Sequence, residues 1–222
     1  MVLKKNVISL SNIEIPVVSL LSALHTDMNN ESIDDILRMH KEAAEIAKPA
    51  AVYACFTPVV LGSAVSINGV LIEDRFVHEM LAGQETVVPY AATCGTEIDK
   101  WAETFTDFYE QYIADVIKAM CLTEIQEKLF DEVKASCFGN DDKISSINPG
   151  SLQEWPITGQ EQLFGILGGV TGDIRVRLTD SCLMIPNKSI SGIFFRSEEG
   201  FHNCQLCPRD DCPNRKAPQQ TS

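Results

Sequence analysis

Over residues 107–135 the apolar side chains Phe108, Tyr112, Ile113, Val116, Ile117, Met120, Cys121, Ile125, Leu129 and Val133 recur every three or four positions. That spacing marks one face of an α-helix, and no strand can hold it. Such a helix extends about 40 Å at 1.5 Å per residue, so it predicts a central helix against which other elements must pack.

The rest of the chain mixes both periods. Residues 32–48 place Ile33, Ile36, Leu37, Ala43, Ala44 and Ala47 on one face, begin at Ser32 with Asp35 three residues on, and stop before Pro49; this predicts a second, capped helix. Asn68-Gly69 between Ile67 and Val70 predicts a two-residue hairpin within residues 63–73. Asp74 should cap a short helix ending at Gly83, followed by a strand at 85–93 and a helix from Thr96. Residues 1–16 alternate like a strand. Residues 139–150 read as a loop and 158–167 as a helix stopped by Gly168-Gly169. Strands at 174–185 and 191–196 are expected to pair across 186–189. Without regular βαβ alternation the fold class is α+β, with helices around an antiparallel sheet.

Eighteen basic against thirty-one acidic residues leave a net charge of −13, which repels a phosphate backbone and argues against nucleic acid as a partner. No apolar run reaches the roughly 18 residues that a membrane helix needs. The N-terminus lacks a signal-peptide core, so a cytoplasmic location is expected. The four histidines, His25, His40, His78 and His202, lie in unrelated segments beside no nucleophile.

From residue 200 onward the apolar periodicity disappears, so this tail has no hydrophobic core of its own. The expected organisation is a body of residues 1–199 and a cysteine-rich tail of residues 200–222. Of eight cysteines, Cys204, Cys207 and Cys212 are clustered there. In a reducing compartment, metal binding or buried thiols are better readings than disulfides. The Cys-x-x-Cys spacing lets two thiolates face one ion, and Pro208 and Pro213 stiffen the approach. A [4Fe-4S] cluster takes four thiolates, whereas zinc accepts three cysteines and one histidine, for which His202 is near. For the cluster the fourth ligand is Cys182 or Cys137, with Cys182 preferred. Cys55, Cys94 and Cys121 read as buried thiols.

Residues 87–99 (VVPYAATCGTEID), Trp155-Pro156 with Gln160 and Leu163-Phe164, and residues 178–192 (LTDSCLMIPNKSISG) resemble the activation-domain family of cobalamin-dependent methionine synthase. They are most similar to free-standing relatives found with corrinoid methyltransferase systems. The resemblance spans about residues 10–196. It implies a C-shaped domain around a twisted antiparallel sheet, a role in restoring cob(II)alamin to its active state, and S-adenosylmethionine as methyl donor in the full-length synthase. It also implies a corrinoid protein or corrinoid methyltransferase as partner, so that the corrinoid itself is met only through that partner.

The family's donor site carries an Arg-x-x-x-Gly-Tyr motif, and the matching positions here are Ser146, Gly150 and Ser151. Gly150 alone is kept as a candidate cofactor-binding residue. Loss of the guanidinium removes a charge-assisted contact of roughly 1.5–3 kcal/mol to a ligand carboxylate. The combined expectation is an accessory redox protein that reductively activates a corrinoid-dependent methyltransferase, through an iron-sulfur cluster on the tail. The alternatives are a corrinoid-protein-binding module with a structural zinc, or an activation domain that binds S-adenosylmethionine.

Overall fold

The computed structural model describes residues 4–11, 13–139, 141–197, 205 and 218. It begins with β1 (Asn6–Ser9), α1 (Val17–Ala23), α2 (Ile33–Ile46), β2 (Ala50–Tyr53) and a small meander of β3 (Val59–Leu61), β4 (Ala64–Ile67) and β5 (Val70–Ile72). Next come α3 (Arg75–Leu81), β6 (Val87–Thr93), α4 (Thr96–Ala102), the long α5 (Phe108–Cys137) and β7 (Ile144–Ile147). The described body closes with α6 (Gly159–Leu167), α7 (Val170–Ile174), the two-residue strands β8 (Arg177–Leu178) and β9 (Met184–Ile185), and β10 (Ser189–Arg196).

The main sheet has the order β1-β2-β6-β10-β7, and every neighbouring pair is antiparallel. The expected α+β class is therefore what the chain adopts. Alternation along β2 divides the core as a pleat requires. Ala51 and Tyr53 pack with Ile125, Leu129 and Val133 of α5 on one face. Val52 and Ala54 pack with Leu167, Val170 and Ile174 on the other. Covered on both faces, β6 is buried at all seven positions.

Beyond the sheet, Ile113, Ala114, Ile117 and Cys121 in the first half of α5 meet Ile36, Met39 and Ala43 of α2 and Ile98 and Trp101 of α4. The β4–β5 hairpin packs with α3, α6 and the far ends of β7 and β10 through Val65, Ile67, Ile72, Val77, Leu163, Ile193 and Phe195. One charged pair lies inside the helical layer. Lys118 is 6% exposed, and its ammonium donates to Asp99 and, at 2.8 Å, to the Asn187 side-chain carbonyl. This ties α4, α5 and the β9–β10 connection together, the arrangement that makes a buried cation tolerable.

Local chemistry explains a few element ends. Asp74 accepts from Val77 N at 3.0 Å, and Asp107 accepts from Tyr109 N and Glu110 N at 2.9 and 3.1 Å. Asn68 and Gly69 take the positive φ values, 52° and 79°, of a two-residue hairpin turn.

Four expectations fail. Ser32 precedes α2 but makes no side-chain cap. Phe108, 88% exposed, and Tyr112, 43% exposed, lie outside the buried face of α5. Residues 139–150 contain β7, which pairs with β10 through Ile193↔Ile147 and Arg196↔Ile144. Residues 174–185 form the end of α7 and the β8–β9 hairpin, so β10 pairs with β6 and β7 instead. Both strand errors share a cause: partners distant in sequence, and not local composition, decide whether a polar segment joins a sheet.

Candidate functional site

The segment after β7 turns sharply. Gly150 has φ 79°, and a Cβ there would lie 2.7 Å from Ile157 Cδ1, so this position needs glycine for both backbone and space. Gly150 N donates to Trp155 O at 2.8 Å and Ser151 N to Asn148 O at 3.2 Å, folding residues 148–155 into a compact loop. An open pocket of 540 Å³ lies along it, lined by Gly150, Ser151, Leu152, Gln153, Glu154, Pro156 and Ile157. No lining residue is a cation, and Glu154 brings a carboxylate. The pocket offers a ligand carboxylate no opposite charge.

Beneath the loop lies a buried polar network. Asn148 Nδ2 donates to the Tyr90 hydroxyl at 2.8 Å and to Ser191 O at 2.7 Å, while Ser191 Oγ donates to Gln160 Oε1 at 2.6 Å. Asn148, Gln160 and Ser191 are each no more than 9% exposed. Burial pushes the Tyr90 phenol above its ordinary pKa, so it stays a neutral hydroxyl. A satisfied buried network of this kind fixes register and orientation. Here it holds β6, β7, β10 and the start of α6 in one arrangement. Trp155, 1% exposed, packs against Gly159, and its indole nitrogen has no hydrogen-bond partner among the described residues.

Sequence reasoning singled out Gly150 but missed Asn148 and the network. A signal was present: Tyr90, Gln160 and Ser191 come from the three separate segments that carry the family resemblance. The structure brings those three residues into one hydrogen-bonded chain.

The cysteine expectations divide. Cys182 sits in the β8–β9 turn with φ 61° and is 4% exposed. Burial, then the nearby Glu161 carboxylate, raises its thiol pKa. Cys137 is not a free thiol: it is disulfide-bonded to Cys55, with Cα atoms 6.4 Å apart. That corrects two expectations, Cys137 as a fourth ligand and Cys55 as a buried thiol, because Cys55 is solvent-exposed and its sulfur is shared. Proximity across 82 residues cannot be read from sequence spacing. Cys94 and Cys121 are buried free thiols, as expected, and burial pushes both pKa values up to about 12. Cys204, Cys207, Cys212 and His202 lie outside the described residues. Among the described residues no group of three or more His, Cys, Asp or Glu side chains converges to hold a metal ion. No described helix is long and apolar enough to cross a membrane.

A five-stranded antiparallel sheet, covered by α5 on one face and by α6, α7 and a β-meander on the other, makes up an α+β fold. The chain is similar to the crystal structure of the MetH reactivation domain bound to AdoHcy, with a TM-score of 0.65 and 16% sequence identity, over 90% of this chain and 80% of that one. No family model matches the sequence, and no curated protein does.

Proposed function

We propose that the chain is an accessory protein that reductively activates a corrinoid-dependent methyltransferase or its corrinoid protein, using an iron-sulfur cluster held by the tail. The observation that carries this reading is the Cys204-x-x-Cys207-x-x-x-x-Cys212 spacing beginning eight residues after Arg196, the end of β10, in a reactivation-domain-like fold. Three closely spaced thiolates are a soft donor set that suits an iron-sulfur cluster. Of the two cysteines named as fourth ligand, Cys182 keeps a free sulfur.

Such a cluster supplies electrons one at a time, as reduction of cob(II)alamin requires. The body's part is to dock. The compact 148–155 loop is the surface offered to a corrinoid-bearing partner, as the reactivation-domain likeness suggests. Binding of the methyl donor is not part of this reading, because Ser146 and Ser151 replace the arginine and tyrosine of the family motif and the pocket beside Gly150 lacks a cation.

Anaerobic purification followed by iron, sulfide and zinc analysis tests the proposal. About four irons and four sulfides per chain are expected, lost in a Cys204→Ser/Cys207→Ser variant. Addition of the reduced protein to a cob(II)alamin-loaded methyltransferase should abolish the cob(II)alamin paramagnetic signal. Protein free of iron under these conditions overturns the redox reading. Stoichiometric zinc favours a structural site in which His202, two residues before Cys204, completes a three-cysteine, one-histidine set.

A further inference from the structure

We propose that Cys55 and Cys137 form a thiol–disulfide exchange site, oxidised in this structure, whose electron donor is a protein dithiol. The proposal is independent of the corrinoid reading.

Exposure carries the first part of the argument. Cys94, Cys121 and Cys182 are all buried, so among the described residues the Cys55–Cys137 pair is where an external thiolate can meet a cysteine sulfur. Cys55 is exposed and lies two residues beyond Tyr53, the end of β2, whereas Cys137 is half-buried as the last residue of α5. The two residues therefore differ in exposure. An incoming nucleophile reaches Cys55, and Cys137 is the group expelled.

Cys137 lines an open pocket of 280 Å³ with Gly83, Gln84, Glu85, Thr86, Phe138 and Arg196. Alongside the acidic Glu85, the lining includes the basic Arg196. Its side chain is positioned by Asp142 at 2.6 Å, and Gln84 Nε2 holds its carbonyl at 3.0 Å.

The chemistry balances as an ordinary exchange. One thiolate of the donor attacks Cys55 Sγ, the Cys55–Cys137 bond breaks, and Cys137 leaves as a thiolate. The donor's second thiolate then attacks its own sulfur in the mixed disulfide. Cys55 is released as a thiolate, and the donor departs as a disulfide. Two electrons reach the pair, and the two released thiolates take up protons from solvent. Reduction removes the covalent tie between the last turn of α5 and the segment after β2, while Cys137 and Phe138 keep their packing against the sheet core.

The test is differential alkylation of the full-length native protein over a series of redox ratios, set with a thioredoxin-type dithiol protein and resolved peptide by peptide by mass spectrometry. Cys55 and Cys137 are expected to titrate together in one two-electron transition, while Cys94, Cys121 and Cys182 stay unlabelled until denaturant is added. A donor variant lacking its second cysteine should be trapped as a mixed disulfide on Cys55. The site is overturned if Cys55 and Cys137 resist reduction until the protein unfolds, if they titrate independently, or if the trapped donor is found on another cysteine. Neither measurement requires a variant of the protein itself.

Discussion

Asn148 Nδ2 and the Tyr90 hydroxyl meet at 2.8 Å directly over Gly192, where an added Cβ would fall 2.4 Å from that nitrogen and 2.9 Å from that oxygen. The hydrogen bond thus depends on a missing side chain on a third strand.

Gly192→Ala should therefore cost about 1–3 kcal/mol, the usual penalty for overpacking a dense core. Backbone strain is not the cause; the methyl group must displace Asn148, Tyr90 or the Ile147 carbonyl, which lies 2.6 Å from the same point. Urea unfolding checks this, and a variant as stable as the parent would show that the network tolerates displacement.

Installing the donor-site motif of the family that the sequence resembles should create a ligand site. With Ser146→Arg and Ser151→Tyr together, S-adenosylmethionine should bind roughly tenfold or more tightly than to the parent, because one charge-assisted contact contributes about 1.5–3 kcal/mol. Isothermal titration calorimetry of both proteins measures it. Equal heats would mean that the turn around Gly150 does not place those positions toward a ligand.

The buried thiols make the fold alkali-sensitive. Burial first raises Cys94 and Cys121 to about 12, against roughly 8.5 for an unfolded chain. The folded state therefore favours the protonated thiols. Their contribution is fully present below the unfolded value and is lost as pH climbs through the window from about 8.5 to 12, by up to about 1.4 kcal/mol per pH unit for each thiol. Denaturation midpoints should fall steadily above pH 9. In Cys94→Ala/Cys121→Ala that alkaline slope should flatten, even though the variant is less stable at neutral pH.

Parts of this architecture were legible because short-range chemistry wrote them. Asn68-Gly69 specified a hairpin and Asp74 specified where α3 starts, each through atoms within three residues. β7 was hidden because Ile144, Ser145, Ser146 and Ile147 carry little strand character alone, and their pairing partners on β10 lie about fifty residues away. At the site, Gly150 showed itself through the motif. Asn148 did not, since its partners Tyr90 and Ser191 lie 58 and 43 residues distant. The Cys55–Cys137 bond was hidden in the same way. Assuming a reducing compartment pointed away from any disulfide.

The strand order carries a consequence for synthesis. Among the described residues β10 is the last strand in sequence, yet it lies inside the sheet, between β6 and β7. While the chain emerges, β7 has no neighbour and β6 exposes one whole edge, an arrangement prone to mispairing. The sheet can close only once Arg196 has been made. The cysteines of the tail follow at once, so any metal chemistry they support is added to a body that has just become able to fold.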